Sequence, residues 1–294
     1  MYCRNIENDV RKVKKMFEIN GHTKQLAIIG DPVEHSFSPQ MHNYISKRLG
    51  NNYVYTALEV KPENLGDAVR GIRALGIAGV NVTAPHKFAV MQYLDEIDGR
   101  AMQYGSVNTV VNRNGRLTGY NTDADGFYQS LLWEGITVRD QDILIVGAGG
   151  ATQPVLVLFA LEGAKSITVL NRTRANAQRL AEYTEKTVGY YVETEKKLPR
   201  YDVIINTTSV GMWPDTAGCP LDDFSFVDSN TAAADMIYNP AETVFLHRAR
   251  ERGAKTVNGL GMLIFQGIIA YELFTDTKLP ADMYREIAKE VFGK

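Results

Sequence analysis

The chain has 294 residues, 45% of them hydrophobic, with a formal charge of −2. That length supplies core for two domains rather than one. The near-zero charge, with no basic block and no interleaving of aromatic and basic residues, excludes a general affinity for nucleic acid or an anionic membrane surface.

In chain order, residues 1–24 mix both charges and lack the apolar stretch of a signal sequence, so they are expected to lie outside the fold as an extension. "QLAIIG" (25–30) reads as a buried strand. "SPQMHNYISKRLG" (38–50) reads as a helix capped by Ser38, with Pro39 in its first turn and Gly50 closing it. "YVYTALEV" (53–60) is a strand, and Leu65, Val69, Ile72 and Leu75 define one face of the next helix. "AGVNV" (78–82) is another strand, and Pro85 is expected to start a short helix carrying Lys87. "VNTVVNRNGRLTGYN" (107–121) is a hairpin turning at Asn114-Gly115. Strand and helix alternate over the first ~120 residues, which implies a mostly parallel sheet with helices on its faces.

A second alternation begins near residue 124. "TDADGFYQSLLWEG" is a helix, "DILIVGAGG" a strand running into glycines, and "ATQPVLVLFALEGA" a helix. "SITVLN" is a strand, "TRANAQRLAEYTEK" a helix, and "YDVIINTTSVGM" and "TAAADMIYNP" end two more strands. The tail (259–293) is helical. Its apolar run is interrupted by Gln266 and Glu272 and is too short and polar to span a bilayer. The fold class is therefore α/β: two α/β units plus terminal helices.

Cys3 and Cys219 have no near partner, so no disulfide framework or zinc site is readable, and two free thiols in a reducing cytoplasm are expected. Asn81-Val-Thr83 and Asn171-Arg-Thr173 match the glycosylation pattern by chance, since no signal peptide precedes them.

Chemistry concentrates at strand ends. Gly147, Gly149 and Gly150 lie between a branched apolar strand and a helix, where glycine lets backbone approach a pyrophosphate and the helix start offers N–H groups. An NAD site carries Asp or Glu at the end of the following strand; here Asn171, Arg172, Thr173 and Arg174 stand there instead. Two guanidinium groups and a hydroxyl suit a 2′-phosphate, so the cofactor is read as NADP.

In the first unit Ser36, Ser38, Asn81, Thr83, Lys87, Asn108, Asn121 and Asp123 stand at strand ends or loop starts. Singly each has a bland reading: Ser38 and Asp123 as helix caps, Asn81 as a turn residue, Lys87 as a solvated lysine. Together they suit a small, hydroxylated, acidic substrate. The five histidines are scattered and no cysteine cluster exists, so metal activation is not expected and no metal ligands are assigned. Lys87 paired with Asp123 is the metal-free acid–base option for hydride transfer at a secondary alcohol.

The ordered motifs "GDPVEHSFSPQMHN", "GVNVTAPHK", "GSVNTVV", "GYNTDADGF", "GAGGA", "NRT", "TTSVGM", "DMIYNP" and "NGLGMLIFQG" resemble those of the shikimate dehydrogenases over residues 25–290. The resemblance implies a substrate-binding catalytic domain (25–123 with 259–294) and a Rossmann NADP-binding domain (124–258), the last helices returning to the first. It implies reversible reduction of 3-dehydroshikimate to shikimate with NADPH, in aromatic amino acid biosynthesis. It makes Lys87 the catalytic acid/base and Asp123 its partner. Ser36, Ser38 and Tyr238 would bind the substrate carboxylate, and Thr83, Asn108, Asp123 and Gln266 its hydroxyls, with Asn81 in the same wall. Gly147, Ala148, Gly149, Gly150, Ala151, Asn171, Arg172 and Thr173 would hold NADP, with Met236 and Gly259 near the nicotinamide.

Three positions depart from the family pattern. NRT-x-x-R ends in Asn176, leaving Arg174 as the substitute. Gln153-Pro154 stands where an arginine often follows the glycine loop. His86 replaces the usual Phe before the lysine and is expected to pack. Among rivals, a quinate/shikimate dehydrogenase using NAD(H) lacks its usual acidic residue here, and the methylenetetrahydrofolate dehydrogenase type is disfavoured by "SFSP" and "NTD". A non-catalytic NADP-binding regulator would have lost Lys87 or Asp123. The expected partners are the small-molecule substrate and NADP, in a monomer or homodimer without nucleic acid or membrane. Hinge motion is expected near residues 121–126 and 256–260.

Overall fold

A computed structural model describes residues 19–197 and 199–294. Most of the expected N-terminal extension, with Cys3, lies outside them. The chain runs β1 (Lys24–Gly30), α1 (Ser38–Leu49), β2 (Tyr53–Glu59), α2 (Leu65–Ala74), β3 (Gly79–Val82), β4 (Glu96–Ile97), α3 (Gly99–Tyr104), β5 (Thr109–Arg113) and β6 (Arg116–Tyr120). It continues through α4 (Asp123–Trp133), β7 (Asp142–Val146), α5 (Thr152–Leu161), β8 (Ser166–Leu170), α6 (Arg174–Val188), β9 (Val203–Asn206), β10 (Ala232–Asp235), α7 (Val244–Glu251), β11 (Lys255–Val257), α8 (Leu260–Thr275) and α9 (Met283–Glu290). Two compact units divide it. The first holds the described residues up to Glu96 with Thr109–Thr118 and Tyr271–Lys294; the second holds Ile97–Asn108 and Gly119–Ala270.

The first sheet has the strand order β2-β1-β3-β5-β6-β4. β1 pairs parallel with both β2 and β3, while β3 meets β5 antiparallel. β1 is apolar at every interior position because Leu26, Ala27, Ile28 and Ile29 are buried on both faces. The hairpin turns where expected, with Asn114 and Gly115 both at positive φ. α1 ends as expected at Gly50, which is left-handed at φ 69°. In α2, Leu65, Val69 and Ile72 are buried, but Leu75 is 77% exposed. The helix stops at Ala74, so Leu75 leaves the apolar face. The tail contributes Tyr271 and Phe274, both buried; the Phe274 ring fills the place where a Cβ on Gly79 would stand, 2.2 Å away.

The second sheet has the order β11-β10-β9-β7-β8, with every pairing parallel. Alternation along its strands divides the core in two. Ile143 and Ile145 of β7, with Val203 and Ile205 of β9, enter one apolar cluster, while Leu144, Val146 and Ile204 enter the other. That two-sided burial is why β7 reads as a continuous apolar run. α5 is buried almost all round, which its uninterrupted "VLVLFA" anticipates. After β7 the chain steps to β8 on one side, then crosses back to β9 on the other. The carboxyl ends of β7 and β9 therefore form the switch point at which such sheets bind ligands.

Candidate active site and cofactor loop

In the first unit the loops after β1 and β3 are laced together. Thr83 N–H donates to the Ile29 carbonyl at 2.9 Å, and Asp31 N–H donates to the Ala84 carbonyl at 3.0 Å. Gly30 makes the approach possible: a Cβ there would lie 2.2 Å from Thr83 Cγ2. Ser36 and Ser38 are thus carried on one loop, and Thr83 and Lys87 on its neighbour. Lys87 is half-buried within a turn over 84–88 that precedes a 3₁₀ helix at Ala89–Tyr93. It does not ride on an α-helix, contrary to expectation. His86 explains how the turn is held. Its ring is 1% exposed, and Nε2 lies 2.7 Å from the Val60 carbonyl, to which it donates. The histidine packs as expected and clips the lysine turn to the end of β2.

Ser38 is not the helix cap. It is the first residue of α1, behind Phe37 at the cap, and it is buried. Ser36, one residue before the Phe37 cap, accepts from Ser38 N–H through its Oγ at 3.2 Å. The Asn81 amide is engaged on both ends: Oδ1 accepts from Tyr55 at 2.8 Å, and Nδ2 donates to Thr109 Oγ1 at 3.0 Å. It is a buried scaffold rather than a turn residue. Behind Tyr55 lies His42, fully buried and stacked at 4.2 Å. Burial pulls the His42 imidazole down to about 3, so it is a neutral slab.

In the second unit Asn108 closes the turn before α4. Its Nδ2 donates to Thr122 Oγ1 at 3.0 Å, and its Oδ1 accepts from Thr122 N–H at 2.8 Å. Asn121, anchored to Ser106 at 2.9 Å, accepts from Asp123 N–H at 3.0 Å. Asp123 therefore opens the helix as its first residue, with Thr122 rather than Asp123 at the cap. One turn on, Gly126 permits contact with α8: a Cβ there would sit 2.5 Å from the Gln266 backbone nitrogen. That sets the α8 backbone at Gln266 against the first turn of α4, the turn that Asp123 opens.

The glycine loop lies at the switch point. Gly147 has φ 120°, and a Cβ on it would meet Thr207 Oγ1 at 2.4 Å. Thr207 N–H donates to the Val146 carbonyl at 2.9 Å, and the Thr207 and Thr152 hydroxyls are 2.8 Å apart. Gly149, by contrast, faces open space, and with Gly150 and Ala151 it is exposed. Ala148 is buried in the core. Gln153 is buried too, and donates to the Tyr104 carbonyl at 2.9 Å. In place of an arginine this chain thus has an internal brace between α5 and α3. At the end of β8, Asn171 Nδ2 donates to the Thr173 carbonyl at 2.9 Å. Arg172 and Thr173 are exposed. Arg174 is ion-paired with Glu195. The segment carrying that glutamate lies along β8, Val169 N–H donating to the Glu193 carbonyl at 2.8 Å.

Met236, Tyr238 and Gly259 follow β10 and β11. Asp235 binds their loop by accepting from Thr243 Oγ1 at 2.6 Å, Ile237 N–H at 2.9 Å and Asn206 Nδ2 at 3.1 Å. Burial nevertheless raises its pKa and that of the Tyr238 phenol. Gly259 N–H donates to the Ile237 carbonyl at 2.9 Å, which keeps it beside Met236. Sequence reasoning singled out neither Asp235, Tyr55, Thr207 nor Glu195; only the apolar surroundings of Tyr55 and the acid in "DMIYNP" were signals to follow. Among the described residues no group of three or more His, Cys, Asp or Glu side chains is placed to hold a metal, and no helix is long and apolar enough to cross a membrane.

Comparison with known proteins decides the family. The profile described as "Shikimate dehydrogenase substrate binding domain" matches residues 28–110, and "Shikimate / quinate 5-dehydrogenase" matches residues 133–212. A shikimate dehydrogenase (NADP(+)) of Alkaliphilus oremlandii is 43% identical over 279 residues, 92% of this chain and 98% of the relative. The chain belongs to the shikimate dehydrogenase family. Among solved structures of this family, a shikimate dehydrogenase in complex with NADP+ superposes with TM-score 0.87 at 41% identity, covering 93% of this chain and 98% of the other. A shikimate 5-dehydrogenase from Listeria monocytogenes in complex with shikimate and NAD gives TM-score 0.87 at 35% identity, covering 92% and 98%.

Proposed function

We propose that the protein is a shikimate dehydrogenase that reversibly reduces 3-dehydroshikimate to shikimate with NADPH, in aromatic amino acid biosynthesis in the cytoplasm. One observation carries the reading furthest. An open glycine loop at the switch point leads to a β8 terminus that bears Asn171, Arg172, Thr173 and Arg174 and no carboxylate of its own. The residues fit the cofactor: Gly149 leaves space for a pyrophosphate against backbone, and exposed guanidinium groups match a 2′-phosphate. When bound, NADP supplies the hydride.

The protein supplies the rest. Residues 25–123 and 259–294 handle the substrate, and residues 124–258 the cofactor. Lys87 donates the proton to the nascent alcohol oxygen in reduction and accepts it in oxidation, with Asp123 as its carboxylate partner. Ser36, Ser38 and Tyr238 bind the substrate carboxylate through hydroxyl donors. Thr83, Asn108, Asp123 and Gln266 bind its hydroxyls, with Asn81 bracing the wall. Gly147, Ala148, Gly149, Gly150, Ala151 and Asn171 to Arg174 hold NADP, and Met236 and Gly259 flank the nicotinamide. The enzyme works as a monomer or homodimer on small molecules alone.

The test is reduction of NADP and NAD with shikimate and with quinate between pH 7 and 10. NADP with shikimate should be best, with NADP at least tenfold ahead of NAD in kcat/KM, about 1.4 kcal/mol. No turnover of shikimate at any of those pH values overturns the proposal. Quinate turnover with NAD at equal efficiency would assign a quinate/shikimate dehydrogenase instead.

A further inference from the structure

The first unit holds a cleft at the end of its sheet remote from the loops after β1 and β3. The cleft lies where β1 and β3 begin and β5 ends, and its volume is about 530 Å³, the size of a small-molecule pocket. Lys24 opens β1 at this cleft, and Gly30, from which the loop bearing Ser36 and Ser38 departs, closes the same seven-residue strand about 20 Å away. Three cations line the cleft, Lys24, Arg73 and Arg113, against one carboxylate, Asp276. Both arginines are fixed. Arg113 donates to the Leu273 carbonyl at 2.8 Å, the Phe274 carbonyl at 3.1 Å and Asp276 at 2.8 Å. Those bonds also answer the negative end of α8. Arg73 donates to the carbonyls of Tyr93 and Gly115 and to Asp95. A guanidinium carries five N–H donors, so the three bonds described for each arginine leave two on each. The Lys24 ammonium adds three donors; the contact described for it is the Tyr53 ring, whose centre is 5.7 Å from the nitrogen. Asp95 and Asp276 balance the two arginines, and the charge of Lys24 is left over.

We propose that this cleft is a second ligand site, separate from the loops proposed to hold substrate, and that it takes a phosphate group, free or carried by a small molecule. A phosphate presents three terminal oxygens, each accepting more than one N–H bond, and its negative charge answers the one left on Lys24. Two guanidinium groups held in place lose little freedom when it arrives, and the flexible ammonium closes on it as a point charge. An apolar ligand would strip water from the spare donors and give nothing back. The volume exceeds what a phosphate ion fills, which leaves room for an organic body between Tyr53 and the hairpin turn at Asn114 and Gly115.

Equilibrium dialysis of radiolabelled inorganic phosphate and glycerol 3-phosphate against the full chain tests this. Saturating NADP is present throughout, so that Arg172 and Arg174 are already occupied. Binding with Kd below about 1 mM is expected. Lys24→Glu should weaken it about tenfold or more, and Lys24→Gln about threefold. Lys24 is exposed and lies outside the proposed catalytic loops, so both variants should keep the wild-type Tm and the wild-type turnover of shikimate without phosphate. Tighter binding of glycerol 3-phosphate supports the site and assigns it to a phosphate ester; equal binding supports it and assigns it to free phosphate. Retention of neither probe overturns the proposal. Binding that both Lys24 variants leave unchanged also overturns it, and its loss in Arg172→Glu would then place the phosphate in the cofactor site.

Discussion

The two units prepare their functional loops by opposite means. In the first, side chains do the holding: Tyr55, Asn81 and Thr109 are buried and bonded to one another, and His86 is sunk against Val60. In the second, the cofactor loop is shaped by backbone and by small residues, with Gly147 pressed on Thr207 and Gly149 left open. The difference matches the ligands the two are proposed to take. A small ring with several hydroxyls needs directional side-chain partners, while a pyrophosphate needs close, unobstructed N–H groups.

Substitutions can break this contrast, and the largest effect is expected at Lys87. Lys87→Ala should lower kcat by about 10²- to 10⁴-fold, the usual share of general acid–base catalysis, and leave NADP affinity near wild type in a fluorescence titration. An unchanged kcat would remove the lysine from the chemistry. Next come two glycines, Gly147 and Gly149, two residues apart in the chain but unequal in the space around them. Gly147→Ala forces a Cβ towards Thr207 at a φ that L side chains rarely adopt, and should cost about 1–3 kcal/mol of stability along with NADP affinity. Gly149→Ala meets nothing within 4 Å, so Tm should hold while NADP binding weakens. If both variants lowered Tm equally, the loop would be structural throughout.

The first unit's side-chain scaffold predicts a pH effect. His42 is held near 3 when folded and lies near 6.5 when unfolded. Below the unfolded value the denatured chain takes up a proton that the native chain refuses, so stability is full above about pH 6.5 and falls as pH drops towards 3. Between pH 7 and 5 the loss is about 2 kcal/mol. Urea titrations should show that His42→Phe, which keeps a flat ring behind Tyr55, loses about that much less than wild type over the same interval. Identical pH dependence would show that the imidazole is solvated. The smallest effect is expected at Glu195. Its pairing with Arg174 sets a carboxylate against the incoming 2′-phosphate, so Glu195→Gln should raise the NADP-over-NAD ratio of kcat/KM a few-fold. A fallen ratio would mean that the glutamate orients the arginine for the phosphate.

Much of the second unit is legible in the sequence because its constraints are local. An apolar run, a glycine cluster and a helix start are neighbours in the chain, and β7, the loop and α5 form from them directly. The first unit is less so. Ser38 reads as a helix cap because Pro39 follows it, yet Phe37 takes the cap and Ser38 is buried as the first residue of the helix. Asn81 and Thr109 are 28 residues apart, and nothing in either segment announces the other. Gln153 and Glu195 show the same limit. Gln153 looks like a departure from a motif until the fold supplies its partner Tyr104, and nothing in the sequence around Glu195 announces that it will pair with Arg174. Leu75 errs in the other direction: its spacing fits the α2 face, but the helix ends one residue too soon.

The contact between Gly126 and Gln266 bears on redesign. The absent side chain at 126 lets the α8 backbone settle against the first turn of α4, so the proposed hydroxyl-binding glutamine and the proposed catalytic carboxylate share one mechanical mount. A library that varies residue 266 to admit new substrates should therefore keep glycine at 126. Any larger residue there would push the two mounts apart, and selectivity and turnover would be lost in the same step.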